Sequence, residues 1–283
     1  MADQAEKLRQ LVGLKASETL PEAVVMDDKP LRKKASTKAR IITVTSGKGG
    51  VGKTSVASNL AIELAIQGRR VTVFDADLSL ANIDILLGLK PRFNLNHVIQ
   101  GEKTLEDVLV AGPQGIRVIP ASSGVQALAE LSRENLNRLT GQFQKLESEC
   151  DFLIMDTAAG ISDDVMAFVH AAGEILVVTT PEPTAYTDAY AMIKVISEQG
   201  AAGQIGLVVN MAQNRREAQN AASGIILISK QFLQIGVKDY GYILRDPDVP
   251  RAVRRQEAFV LYNPMSPAAR SIRALAARLI QED

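Results

Sequence analysis

The sequence predicts an α/β fold with a mostly parallel, doubly wound sheet that is flanked by helices. Short apolar runs and stretches with helical periodicity alternate from residue 41 onward. Strands that are apolar along their whole length are typical of parallel sheets with both faces covered. A glycine-rich turn and acidic residues directly follow several of these runs. Ligand-binding residues have this placement at the carboxyl edge of such a sheet.

The strands and helices can be placed in order along the chain. The predicted strands are the apolar runs 41–45, 71–75, 116–120, 152–156, 175–179 and 207–210. The predicted helices are a segment that begins at Lys53 and the stretches 132–148, 186–198 and 267–281. The chain shows no internal repeat, so we expect one domain over residues 41–283.

The first 40 residues differ from the rest. Residues 1–14 are predicted to form a short helix, because apolar side chains recur on one face. Residues 15–40 contain two prolines and a basic run that has no acid from residue 29 onward, which indicates a flexible linker. Solvation explains the basic run, and transient contact with anionic lipid or nucleic acid is the alternative.

Composition bounds the class of protein. The chain has 283 residues, 46% of them hydrophobic, with 32 basic and 32 acidic side chains. This balance is typical of a globular protein and argues against bulk electrostatic binding to nucleic acid. The single cysteine, Cys150, excludes an internal disulfide and a cysteine cluster within the chain. No apolar stretch approaches the ~18 residues of a membrane span and no signal-peptide pattern opens the chain, so we expect a cytoplasmic protein.

A glycine-rich loop follows the first predicted strand and fits the phosphate-binding frame G-x-x-x-x-G-K-[ST]. Backbone N–H groups and the start of the next helix can bind an anionic phosphate there. Lys53 is expected to reach the β- and γ-phosphates, and the Thr54 hydroxyl to bind Mg²⁺. The residues predicted to bind the nucleotide are Gly47, Lys48, Gly49, Gly50, Val51, Gly52, Lys53, Thr54 and Ser55.

The same glycines also fit G-x-G-x-x-G, the frame of a dinucleotide site. Asp75 and Asp77 lie near the position of a ribose-binding acid, about 20 residues further on. A pyrophosphate held by backbone alone has no use for Lys53 and Thr54, however. The loop therefore favours a nucleoside triphosphate, with the dinucleotide as the alternative.

Acids close two of the predicted strands. An acid at a strand end is often only a turn or a helix cap, but beside a phosphate loop it becomes a candidate for Mg²⁺ and water. We assign metal binding to Thr54, Asp75 and Asp156, and positioning of the attacking water to Asp77 and Asn82. Residues 157–160 follow as a candidate switch loop.

Three segments together resemble the deviant Walker A ATPases of the MinD/ParA family, namely 47–54 with its additional Lys48, 75–77 and 156–160. The resemblance spans residues 41–283. It implies the P-loop NTPase fold and slow, switch-like ATP hydrolysis with Mg²⁺. It also implies a homodimer that closes around ATP.

The resemblance also implies individual roles. The residue matching Lys48 reaches the phosphates of the partner subunit, and the one matching Asp77 is needed for hydrolysis. The catalytic set is thus Lys48, Lys53, Asp77 and Asn82. The residue matching Asn210 helps to hold adenine. The base-binding loop at residues 244–246 departs from the family pattern.

Residues 75–89 and 3–9 look most like the flagellar-number regulators of that family, FlhG and FleN. In that branch the N-terminal segment stimulates the GTPase FlhF, and a frayed helix with no partner is the alternative. The branch further implies a flagellar transcription activator or basal-body component as partner, and transient placement at the inner membrane face or cell pole. The residues assigned to partner binding are Asp3, Gln4, Ala5, Leu8 and Arg9.

Other functions stay open. The chain ends after residues 267–281 without the basic tail of membrane-bound members, so we expect at most weak membrane contact. A DNA-segregation or cell-division-site ATPase of the same family is the alternative function. Its best support is the basic group Arg251, Arg254 and Arg255, although we do not expect nucleic-acid binding. A redox carrier would need paired cysteines.

Overall fold

The structure, a computed structural model, describes residues 39–77, 82–120 and 142–281. The predicted N-terminal helix, almost all of the predicted linker and the first part of the predicted helix 132–148 lie outside the described residues. So do the five residues assigned to partner binding.

An eight-stranded sheet forms the centre of the described chain, in the order β3-β4-β2-β5-β1-β6-β7-β8. Neighbouring strands run parallel except for the pair β3 and β4 at one edge. This arrangement confirms the predicted fold class. The strands are β1 (Arg40–Thr45), β2 (Val71–Ala76), β3 (Val110–Ala111), β4 (Arg117–Ile119), β5 (Phe152–Thr157), β6 (Glu174–Thr179), β7 (Gln204–Ala212) and β8 (Lys238–Leu244).

Helices connect the strands and lie on both faces of the sheet. The helix after β7 continues into a π-helical turn, Ser229–Leu233. The helices are α1 (Lys53–Ile66), α2 (Ile83–Leu86), α3 (Leu95–Ile99), α4 (Leu105–Val108), α5 (142–149), α6 (Asp163–Ala171), α7 (Pro183–Glu198), α8 (Arg215–Ile228), α9 (Asp248–Arg254), α10 (Phe259–Tyr262) and α11 (Pro267–Gln281).

All six predicted strands are present, and two further strands were not predicted. Strand β3 has only two residues. In β8 just two side chains, Tyr240 and Ile243, are buried, and Gly241 adopts a φ of 110°. An edge strand that buries so few side chains lacks the continuous apolar run by which the inner strands are recognised.

Two apolar cores lie on opposite faces of the sheet. One contains side chains of α6, α7 and α8, and the other contains those of α1 and α11. In α11, the apolar positions Ile272, Leu275 and Leu279 are buried, so this helix packs against the domain. Within the part of the chain that is described, no helix is long and apolar enough to cross a membrane.

The strand order sets the geometry of the candidate site. Strand β1, which leads into the glycine loop, lies between β5 and β6. The acidic strands β5 and β2 lie on one side of the loop, and β6 and β7 lie on the other. All five strands are parallel, so their carboxyl ends meet at one edge.

Candidate nucleotide-binding site

The loop between β1 and α1 is built on glycines for two different reasons. Gly50 and Gly52 adopt φ values of 81° and 83°, which side chains disfavour. Gly47 allows close packing, because a Cβ atom there would overlap the backbone carbonyl of Asp188 in α7. A Cβ atom on Gly49 or Gly50 would meet no atom within 4 Å. The loop is thus fixed against α7 at one end and open to a ligand in the middle.

Lys53, the first residue of α1, forms a buried ion pair with Asp156 at the end of β5. The Nζ–Oδ1 distance is 2.6 Å, and the exposed fractions of the two side chains are 8% and 1%. Such a pair places a cation and an acid side by side at the end of the loop, as phosphate and metal binding both require. The structure therefore brings these two predicted site residues together.

The second oxygen of Asp156, Oδ2, is buried and has no hydrogen-bond partner among the described residues. Burial raises the pKa of this carboxyl, and the Lys53 charge and the Thr54 hydroxyl oppose the shift. An unpartnered carboxylate oxygen next to a threonine hydroxyl is a suitable ligand set for Mg²⁺, which prefers oxygen donors. The described residues thus fit the predicted metal.

Asp75 lies opposite Asp156 in the register of β2 and β5. Its Oδ1 accepts from the backbone N–H of Asp77 at 3.2 Å. Its Oδ2 accepts from those of Asn82 at 3.0 Å and Ile83 at 3.1 Å. The carboxylate therefore holds both ends of the segment 77–83, and its assignment to the metal stays a prediction.

Burial raises the pKa of Asp75 to about 7, and the neighbouring Asp156 charge adds to the shift against the three backbone hydrogen bonds. Between about pH 4 and about pH 7, the folded chain therefore keeps a proton on Asp75 that the unfolded chain has lost. The stabilising contribution of the protonated Asp75 to the free energy of unfolding is fully present below about pH 4 and is lost as the pH rises through about 7.

Asp75→Asn, which stays neutral, is expected to flatten this decline. Without nucleotide, the free energy of unfolding of the wild type should fall between pH 5 and pH 8 by on the order of 2 kcal/mol more than that of the variant. Urea unfolding of both proteins at the two pH values measures the difference. Equal pH dependence in the two proteins would show that Asp75 does not titrate in this range.

Asp77 and Asn82 follow β2 at the same edge. Their backbone N–H groups are held by Asp75, and the Asp77 charge contributes to the raised pKa of Asp156. The structure thus places Asp77 within electrostatic range of the buried acid. Positioning of water by these two side chains stays a prediction.

Lys48 has an environment unlike that of Lys53. Its side chain is half-buried, and its Nζ donates to the Thr184 hydroxyl of α7 at 2.8 Å in a hydrogen bond that is exposed to solvent. Its carbonyl oxygen accepts from the Ser46 hydroxyl at 3.0 Å. The second lysine of the loop therefore lies at the surface, over the first turn of a helix.

Asn210, near the end of β7, is buried against the loop. Its Nδ2 donates to the Val51 carbonyl at 2.7 Å, and its Oδ1 accepts from the Met211 N–H at 2.9 Å. A Cβ atom on Gly52 would overlap the Asn210 amide. The structure therefore brings Asn210 to the loop, and its contact with adenine stays a prediction.

The predicted switch loop is attached to the end of β1. The Thr157 hydroxyl donates to that of Thr45 at 3.1 Å, and the Gly160 N–H donates to the Ser46 carbonyl at 2.8 Å. Gly160 adopts a φ of 96°, and Ile161 after it is 51% exposed. A change at the phosphate loop can thus reach this segment through two hydrogen bonds.

Asp246 of the divergent loop 244–246 is a structural residue. Its carboxylate oxygens accept from the backbone N–H groups of Asp248 at 2.9 Å and Ala268 at 3.0 Å. It therefore joins the starts of α9 and α11.

Each arginine of the basic group on and after α9 contacts its own domain. Arg251 pairs with Asp248 at 2.9 Å, Arg254 donates to the Pro250 carbonyl at 3.1 Å, and Arg255 lies 5.3 Å from the centre of the Tyr262 ring. All three residues are nevertheless exposed, so DNA binding at this basic group stays the alternative.

Comparison with known proteins agrees with this geometry. Residues 37–280 match a family model described as "ParA: NUBPL iron-transfer P-loop NTPase". The chain belongs to the ParA family of P-loop NTPases. Membership supports ATPase activity and nucleotide binding, so the chain is an ATPase.

Individual relatives indicate which members of the ParA family this chain resembles. The antiactivator FleN of Pseudomonas aeruginosa is 42% identical over 85% of this chain and 86% of its own length. The flagellum site-determining protein YlxH of Helicobacter pylori is 31% identical over 100% of this chain and 92% of its own. The septum site-determining protein MinD of Pyrococcus horikoshii, solved with Mg-ADP, has a TM-score of 0.71 and 26% identity, and covers 85% of this ATPase and 96% of that chain.

Two features of the site were not predicted from the sequence. Thr184 binds Lys48 across the 136 positions that separate them, and Met211 lies next to Asn210 in an unusual backbone conformation. Periodicity and motif spacing carry no signal for either.

Proposed function

We propose that this ATPase is a regulatory switch that dimerises with ATP and controls the number and placement of flagella. The proposal rests on the different environments of Lys53 and Lys48, the two lysines of the phosphate loop. Lys53 is buried and paired with Asp156, so it serves the phosphate of its own loop. Lys48 is only half-buried and its hydrogen bond to Thr184 is exposed to solvent, so a second subunit can reach it.

The charges of two facing nucleotides explain why a second lysine is useful. Triphosphates that face one another across a dimer seam repel strongly in a poorly hydrated site. A lysine at the surface of each loop would offset that repulsion without binding the phosphates of its own loop. Bound Mg²⁺ would neutralise further phosphate charge.

The flagellar part of the proposal rests on the similarity to YlxH, which is named a flagellum site-determining protein, and to the antiactivator FleN. The iron-transfer wording of the family description has no support in the cysteine content, because the chain has one cysteine and Cys150 is buried. Cysteine-bridged iron–sulfur clusters need several thiolates. We therefore favour the flagellar switch over an iron carrier.

We propose further that residues 1–14 stimulate an FlhF-like GTPase, with the assigned residues 3–5, 8 and 9 as the contact. A partner segment joined by a linker acts at a raised local concentration without a fixed geometry. Contact with a transcription activator or basal-body component, and with the membrane or cell pole, belongs to the same proposal.

Deletion of residues 1–14 tests this assignment. The truncated protein should still dimerise with ATP and hydrolyse it at the wild-type rate, since the site lies within the described domain. Stimulation of the GTPase should be lost. Light scattering, phosphate release and GTP turnover measure the three properties, with Lys48→Ala as the variant expected to lose the dimer but to keep residues 1–14. Undiminished stimulation by the truncated protein would refute the N-terminal assignment, and a wild type that stays monomeric with ATP would refute the switch.

A further inference from the structure

A nucleotide in this site has a defined direction along the sheet edge. The unpartnered oxygen of Asp156 and the neighbouring Asp75 lie on the β5 and β2 side of the loop. The metal and terminal phosphates belong on that side, because carboxylates bind the metal. The nucleoside must then extend toward the other side, where β6 and β7 end.

Met211 lies on that second side in a strained conformation. It is a non-glycine residue with a φ of 57°, and the register of β7 with β8 is irregular between Val209 and Ala212. Such a conformation costs of order 1 kcal/mol for a side chain such as methionine, and strain of this kind gathers at binding sites. A glycine or asparagine would adopt it more readily.

The neighbours of Met211 hold it in that conformation. The Asn210 side chain accepts from its N–H and in turn donates to the Val51 carbonyl of the phosphate loop. The Met211 methyl carbon, Cε, lies 3.2 Å from where a Cβ atom on Gly52 would be. The side chain is nevertheless 42% exposed. A large apolar group is thus fixed against the loop and left open to solvent.

We propose that Met211 contacts the face of the nucleobase, and that its strained backbone is kept because it places the thioether there. The proposal rests on the proposed function, since it needs a nucleotide in the loop. A polarisable thioether packs well on an aromatic ring and offers no strong hydrogen bond. Met211 therefore adds affinity for a base through apolar contact, beside whatever hydrogen bonds the base makes elsewhere.

The test compares ATP with inorganic tripolyphosphate, which lacks the base and the sugar. Met211→Ala should raise the Kd for ATP about threefold to tenfold, the range expected for losing a sulfur–aromatic contact. The Kd for tripolyphosphate should not change. Isothermal titration calorimetry on the full-length protein measures both constants.

Met211→Gly separates a binding role from a structural one. Glycine relieves the backbone strain, so its Tm without nucleotide should be no lower than that of Met211→Ala, while the loss of ATP affinity should be at least as large. Gln234→Gly is the matched control. Gln234 also has a positive φ, of 56°, but lies between α8 and β8, at the other end of the strands. It should leave both binding constants unchanged.

Three results would overturn the inference. Equal losses for ATP and tripolyphosphate would mean that Met211 only supports the phosphate loop. Unchanged ATP affinity in Met211→Ala would remove the base contact while leaving the proposed function intact. A wild type that binds neither compound would overturn the proposed function together with the inference.

Discussion

Lys53→Ala is expected to abolish ATP binding, raising the Kd at least 100-fold. Lys53 is the buried cation of the phosphate loop, and its removal leaves mainly the backbone dipoles of the loop to bind the anionic triphosphate. It also leaves the buried Asp156 carboxylate without its cation, so this negative charge would repel the phosphates. Calorimetry with ATP and Mg²⁺ measures the loss.

The loss of a buried partner destabilises the fold as well, by roughly 3–5 kcal/mol if the acid stays charged. Burial raises the pKa of Asp156, so the acid can take up a proton and lessen this cost. The double variant Lys53→Ala, Asp156→Asn should regain stability but not ATP binding. Lys48→Ala, on the same loop, should retain ATP binding. Near-normal affinity in Lys53→Ala would contradict the assignment of the loop.

Asp77→Ala is expected to bind ATP and to stay dimeric while turnover falls by about 100-fold or more. Asp77 lies at the carboxyl end of β2, and its charge influences the buried Asp156. An acid there can position the attacking water, whereas the phosphates depend on the loop. Removing it should thus block hydrolysis without removing the nucleotide.

Phosphate release and light scattering after ATP addition measure this second effect. The wild type should return to monomer as ATP is consumed, and the variant should persist as dimer. Asp84→Ala is the control, since it removes an acid from the nearby helix α2 and should hydrolyse normally. Wild-type turnover in Asp77→Ala would refute the role of this acid.

Much of the site was predictable because its parts are local in sequence. The glycine frame, Lys53 and Thr54 lie within eight consecutive residues, and a parallel sheet brings the ends of its strands to one edge. Asp156 could therefore be placed beside the loop from the sequence. The buried 2.6 Å pair with Lys53 is consistent with that placement.

Other features could not be predicted from motif spacing. Asp75 was assigned from its strand end alone, but its carboxylate accepts hydrogen bonds from the N–H groups of Asp77, Asn82 and Ile83. The Lys48–Thr184 contact and the positive φ of Met211 arise only after the distant strands β6 and β7 and their helices have packed. Strand β8 was missed because an edge strand with two buried side chains has little apolar pattern.

The absence of a side chain at Gly47 has a mechanical consequence. Backbone of the loop lies directly on backbone of α7 near Asp188, with no rotatable group between them. A side chain would absorb a small shift by changing rotamer, but two main chains in contact cannot. Any movement of the loop at Gly47 must therefore be matched by the adjoining backbone of α7.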